Sequence, residues 1–209
     1  FDGFWGIWDE PFLQFMKNTL DKKKTPFFAS VFTVSSHEPY IIPEKYKNRF
    51  HEGEIPIHKC AEYTDFALKR FFKEAKKQPW FSNTIFVLVA DHGNQIFYDE
   101  YQKPINRFAV PIIIYKPNSK YVGVDDDLAQ QIDIYPTILD MIGYKKPFTS
   151  LEDAVKDYVT LVLSQYVCPS RYSAAHLISG VSAQMSPKWI LSFHSVIFWP
   201  RWNAKAFAS

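Results

Sequence analysis

Three short stretches constrain this chain most: Phe27–Val34 (FFASVFTV), Thr84–Ala90 (TIFVLVA) and Val110–Tyr115 (VPIIIY). Each is apolar at odd and even positions alike, so neither face of the strand it forms can meet water. Amphipathic helical segments separate them. Phe12, Met16 and Leu20 recur at helical spacing behind Asp9-Glu-Pro11, which reads as an N-cap and early-turn residues. Cys60, Tyr63, Thr64, Ala67, Leu68, Phe71, Phe72 and Ala75 mark one face of a longer helix, with Lys and Glu opposite. Tyr40–Ile57, with Pro39, Pro43 and Pro56 in or beside it, reads as a long surface loop. Asp125–Asp127 reads as a helix cap, Pro136 as a first-turn residue and Gly143 as a C′ residue. The expected architecture is α/β, a mostly parallel sheet with helices on both faces. Ligands of such sheets gather at the carboxyl ends of the strands.

The length argues for one domain, here residues 1–148, followed by a tail over residues 149–209. Residues 1–148 carry 19 basic and 19 acidic side chains with 5 serines; residues 149–209 carry 5 basic and 3 acidic with 10 serines. The shift places a boundary at Pro147-Phe148. The 19 Phe, 12 Tyr and 6 Trp exclude disorder for most of the chain, because that much apolar surface is not left in water. A net charge of +2 gives no basic field for nucleic acid. No apolar run reaches the ~18 residues of a membrane span, and no export signal opens the chain. Cys60 and Cys168 have no metal-site spacing. Position 1 is Phe, so the expectation is a fragment with signals, membrane helices and catalytic residues upstream.

Asp91-His92-Gly93 leaves the end of the second apolar strand. A carboxylate oxygen beside an imidazole nitrogen suits a divalent cation such as zinc or manganese, and the glycine is expected to permit a sharp turn. A polar turn with no ligand is the plainer reading of those three residues alone. His37 lies just past the first strand and before Pro39. His51 and His58 read as solvent-exposed loop residues, Lys22–Lys24 as a solvated helix end, and Phe1, Phe4, Trp5 and Trp8 as core, with a lipid-facing groove the alternative.

Asn83–Asn94 (NTIFVLVADHGN) resembles the strand-plus-metal segment of the sulfatase and alkaline phosphatase-like superfamily. Gln131–Gly143 (QIDIYPTILDMIG) is similar to a helix of those chains with the pattern Asp-x-x-Pro-Thr-x-Leu-x-x-x-x-Gly. Arg107–Tyr115 (RFAVPIIIY) looks like their strand with a Val-Pro step. Phe32–Tyr40 (FTVSSHEPY) and Ala61–Phe72 resemble segments of the lipoteichoic acid synthase-like branch, the membrane-anchored phosphoglycerol transferases. The resemblance covers about residues 1–148, the C-terminal part of the catalytic domain. It implies Asp91 and His92 as metal ligands, with manganese first and magnesium or zinc as alternatives, and His37 as a contact to the phosphoglycerol group. It also implies a nucleophilic threonine and an acidic ligand upstream, a covalent phospho-threonine intermediate, and a phospholipid head group or other phospho- or sulfo-ester as substrate. The full-length protein would be membrane-anchored through N-terminal helices with its catalytic domain outside the cytoplasm, and this fragment alone soluble and inactive. A sulfatase or phosphodiesterase of the superfamily is the alternative, and a non-catalytic remnant the reading from another class.

Residues 149–209 do not continue the pattern. Codons for Thr149–Val155 (TSLEDAV), read two bases later, can spell Lys-Phe-Gly-Arg-Arg-Ser, which is compatible with a frameshift near codon 148. Cys168-Pro-Ser-Arg resembles the sulfatase Cys-x-Pro-Ser-Arg segment. It lacks the intervening residue and follows Asp-His-Gly rather than preceding it, so no role is carried over. Leu151–Val167 reads as an amphipathic helix, and Ile190–Trp202 as an aggregation liability unless packed.

Overall fold

The computed structural model describes residues 1–147, apart from 3–5, 96, 105, 121, 126 and 128, together with the backbone of Ser195–Pro200. Helix α1 (Asp9–Leu20) buries Leu13, Met16 and Leu20, and helix α2 (Ile57–Ala75) buries the face expected from its sequence, from Cys60 to Ala75. The two helices pack on each other and on one face of a four-stranded sheet. The strands are β1 (Ala29–Phe32), β2 (Thr84–Val89), β3 (Ile112–Tyr115) and β4 (Ser195–Pro200).

β2 organises the core. All six of its residues are buried, and alternate side chains go to opposite faces. Phe86 and Leu88 meet Leu68, Phe71 and Phe72 of α2, with Trp80, Phe81 and Tyr115 around them. Ile85, Val87 and Val89 meet Ile134 and Ile138 of helix α3 (Ile134–Met141) on the other face. Full burial of a side chain of this size stabilises by roughly 1.5–3 kcal/mol. α3 carries Pro136 in its first turn and ends as expected. Gly143 has φ +78°, its N–H donates to Asp140 O, and Tyr144 N–H reaches back to Leu139 O, a Schellman stop.

The α/β class and the helices on two faces hold, but the expected parallel pairing does not. The order is β1-β4-β2-β3, and each neighbouring pair is antiparallel. Apolarity on both faces does not encode the direction of a neighbour, and it marks full burial for β2 but not for β1, where Val31 is buried and Phe32 is 53% exposed. β1 and β2 do run the same way, because both are antiparallel to β4 between them. They are also level: Phe32, the last residue of β1, and Val89, the last of β2, both pair with Ser195. At strand spacings of about 4.8 Å, the chain leaves β1 and β2 at one edge, roughly 10 Å apart.

β4 falls within the apolar Ile190–Trp202 stretch, which is thus paired with β2 along residues 195–200 and with β1 on its other side along residues 195–198. The expected helix over Leu151–Val167 and the Cys168-Pro-Ser-Arg segment lie outside the described residues. Three smaller expectations change. Asp9 is not the cap of α1; Trp8 holds that position and Asp9 is the first helical residue. Asp125 caps no helix, since its Oδ1 accepts the Asp127 N–H in a local turn, and the following helical turn is capped by Gln130. Phe1 is 85% exposed and so is not core, whereas the Trp8 ring packs edge-on against Tyr63; Phe4 and Trp5 lie outside the described residues.

Candidate functional site

The loop after β1 is fastened from below. Asp9 is fully buried. Its Oδ1 accepts the N–H groups of Val34 (3.2 Å) and Ser35 (3.1 Å) and the Ser35 hydroxyl (2.7 Å). Its Oδ2 accepts the Thr64 hydroxyl at 2.7 Å, and its own N–H donates to Ser35 Oγ at 3.0 Å. One carboxylate thereby joins α1, α2 and the end of β1. Burial pushes the Asp9 carboxyl above its ordinary pKa, against the pull of its hydrogen bonds to Ser35, Thr64 and Val34. Beside it, burial alone would raise Glu10. Hydrogen bonds from Tyr46 (2.8 Å) and Lys45 (3.0 Å) and the charges of Lys45 and Arg70 outweigh burial and hold Glu10 below the usual carboxylate range.

Two residues past this anchor, His37 stands exposed at the strand-end edge, with Nδ1 3.1 Å from Glu38 O. Tyr40 follows with a left-handed φ of +56°. Its hydroxyl donates to Asn94 Oδ1 at 2.8 Å, which ties the His37 loop to the loop that follows β2.

That second loop carries Asp91 and His92. The His92 N–H donates to Asp91 Oδ1 at 2.9 Å, and Asp91 Oδ2 lies 3.4 Å from His92 Nε2. His92 Nδ1 is 2.7 Å from the Gly93 carbonyl oxygen. A carbonyl can only accept, so Nδ1 donates this hydrogen bond and Nε2 is the ring nitrogen turned towards the Asp91 carboxylate. Two ligand atoms held at about 2.1 Å around a tetrahedral ion are roughly 3.4 Å apart. The Oδ2–Nε2 pair has that separation, which suits a tetrahedral ion such as zinc, whereas octahedral ligands at the same bond length are about 3.0 Å apart. Among the described residues no group of three or more His, Cys, Asp or Glu side chains is assembled to hold a metal.

Gly93 is needed for a reason other than a turn. A Cβ there would lie 2.8 Å from the Arg107 carbonyl oxygen, so the loop passes too close to the chain before β3 for any side chain. On the other flank, the Gln131 side-chain amide donates to the carbonyls of both Ala90 (2.5 Å) and Asp91 (3.1 Å). The remaining histidines lie elsewhere. His51 is exposed, with Nδ1 3.1 Å from Glu62 Oε1. His58 is not a loop residue but sits half-buried in the first turn of α2, accepting the Glu54 N–H at 3.0 Å, with Phe97 edge-on to its ring. Lys22–Lys24 are exposed, as expected.

Residues 1–144 match the family model described as Sulfatase. The chain belongs to the sulfatase family. It is 29% identical over 158 residues to lipoteichoic acid synthase 1 of Bacillus subtilis (strain 168), covering 66% of this chain and 24% of that one. It is 24% identical over 154 residues to the lipoteichoic acid synthase of Staphylococcus aureus (strain USA300), again 66% of this chain and 24% of the relative. This sulfatase-family chain therefore spans about a quarter of the length of these curated relatives. Its fold is similar to that of a protein in the alkaline phosphatase superfamily from Vibrio parahaemolyticus, with TM-score 0.57, 27% identity, and coverage of 83% of this chain and 47% of that one. Among its described residues no helix is long and apolar enough to cross a membrane.

Two residues that shape the site carry no local signal in the sequence of this family member. Asp9 looks like any helix-start aspartate, and Gln131 merely opens a helix pattern. Only the fold brings them to the ends of β1 and β2.

Proposed function

We propose that the chain is the C-terminal part of the catalytic domain of a metal-dependent phosphoglycerol or phosphoethanolamine transferase that acts on phospholipid head groups. The observation that carries the reading is the Asp91 Oδ2–His92 Nε2 pair at 3.4 Å with Nδ1 tied to Gly93 O, at the edge where the loop bearing His37 also emerges. Its sequence likeness to lipoteichoic acid synthases supports the choice of substrate class.

In this reading Asp91 and His92 hold a divalent cation, manganese first, with magnesium or zinc as alternatives. When bound, such an ion supplies Lewis-acid polarisation of a phosphoryl oxygen. The Gly93 carbonyl orients the imidazole, and Gly93 and Arg107 fix the height of the loop. His37, exposed at the same edge, donates a hydrogen bond to a phosphate oxygen or to the polar head group. The nucleophilic threonine, the remaining ligands and the membrane anchor come from a part of the protein outside these 209 residues. A sulfatase or phosphodiesterase is the superfamily alternative, and the chain by itself is expected not to turn over.

Manganese titration followed by electron paramagnetic resonance tests the reading. The 209-residue chain should bind Mn²⁺, and Asp91→Asn or His92→Ala should weaken binding 10–100-fold or more. Equal binding by all three proteins would overturn it. In the longer protein that contains these residues, His37→Ala should depress transfer from a phosphoglycerol lipid without altering Mn²⁺ affinity; unchanged transfer would remove His37 from the site.

A further inference from the structure

The sequence pattern Gln131–Gly143 contains no residue to which the proposed chemistry assigns a role, yet its first side chain touches the candidate site. Gln131 opens a short helical turn (Gln131–Asp133) that leads into α3. The turn is closed by a reciprocal cap: the Gln130 side chain accepts the Asp133 N–H, and Asp133 Oδ2 accepts the Gln130 N–H at 2.7 Å. α3 is in turn held on the sheet by Ile134 and Ile138 against Ile85, Val87 and Val89. The backbone of Gln131 is thus fixed to the same strand whose end it grips.

We infer that Gln131 is a positioning residue that sets the Asp91–His92 turn by clamping two successive backbone carbonyls at the end of β2. One amide group donates to Ala90 O at 2.5 Å and Asp91 O at 3.1 Å. Ala90 and Asp91 lie beyond Val89, the last residue in the β2 ladders with β3 and β4, so these carbonyls are past the ladder that would otherwise hold them. A two-point grip on consecutive peptide groups fixes the direction in which the chain leaves the strand, and with it the aim of the Asp91 carboxylate. Gly93 against the Arg107 carbonyl limits the turn from a second side. Gln131 needs both of its amide hydrogens for this, which neither a carboxylate nor a hydrocarbon of the same length supplies. The inference deepens the metal-centre reading and rests on it only where cation affinity is concerned.

The test uses the full 209-residue chain and four proteins: wild type, Gln131→Leu, Gln131→Glu and Gln131→Lys. Amide hydrogen exchange by nuclear magnetic resonance is read at residues 91–94 and, as a control, along the buried face of α2. The clamp predicts that exchange at 91–94 rises at least tenfold in Gln131→Leu and Gln131→Glu, while the α2 amides are unchanged. Gln131→Lys, which keeps donors, should recover a substantial part of the protection. Mn²⁺ affinity should fall about tenfold in Leu and Glu and recover in Lys. Exchange at 91–94 that matches wild type in all variants, or that rises equally along α2, would overturn the clamp. If no protein binds Mn²⁺, the metal reading fails, and the exchange comparison still decides the role of Gln131.

Discussion

Replacing Asp9 with alanine should be among the most damaging changes in the chain. Asp9→Ala strips the acceptor from the Val34 and Ser35 N–H groups and from the hydroxyls of Ser35 and Thr64, with Ser35 and Thr64 only 4% and 2% exposed. The hydroxyls can turn towards other acceptors, but the N–H groups cannot. Each buried donor left without a partner costs about 1–3 kcal/mol. Against that stands the relief of no longer burying a carboxyl whose pKa burial drives upward. The balance is a loss of about 3 kcal/mol. Asp9→Asn keeps an oxygen for the two N–H groups and turns its NH₂ to Thr64 Oγ, so it should lose about 1 kcal/mol. Urea unfolding followed by circular dichroism measures both, with the change read from the midpoint at constant slope. A loss below about 1 kcal/mol for Asp9→Ala would refute the reasoning, as would an Asn variant no better than the Ala variant. Because Val34 and Ser35 lie two to three residues before His37, the Ala variant should also raise amide exchange across residues 34–40 more than in α2.

Gly93→Ala forces a Cβ to within 2.8 Å of the Arg107 carbonyl and should cost about 1–3 kcal/mol, seen as a lower thermal midpoint; an unchanged midpoint would show that the loop has room. Tyr40→Phe removes the 2.8 Å bond to Asn94 and should cost about 1 kcal/mol, with a double-mutant cycle against Asn94→Ala showing that the two losses are coupled. Burial pushes the Asp65 carboxyl from 3.8 to about 6, with Glu62 adding to the rise and Lys69 opposing it. Between those values the native state holds more protons than the unfolded chain, so stability should fall as pH rises through this window, and the full penalty is present above about 6. Two units correspond to about 3 kcal/mol, so Asp65→Asn should flatten the pH profile and stabilise the chain at pH 7 by up to that amount. A wild-type profile that rises between pH 4 and 6 while the variant's does not would contradict this.

What the sequence makes legible here is what repeats at short range. The α2 face from Cys60 to Ala75 is readable because helical spacing puts those residues on one stripe, and β2 because six consecutive buried positions leave little else to be. His37, Asp91 and His92 are findable because each lies within five residues of a strand end. Strand direction escapes, since β4 enters the sheet from more than 75 residues beyond β3 and no periodicity encodes where it inserts. Asp9 escapes for the same reason: its partners lie 25 to 55 positions away. The need for glycine at position 93 is legible, but its cause is not, because the obstructing carbonyl belongs to Arg107.

The shared partner Ser195 has a consequence for the order of assembly. β2 and β3 are separated by about 20 residues, whereas among the described strands β1 pairs only with β4, about 160 residues further along. The β1–β4 pairing therefore closes the longest loop among the described strands, and long-range pairings of this kind form late because the loop-closure entropy must be met first. β4 acts as the keystone of an arch, the last stone in and the one whose removal lets both sides fall apart.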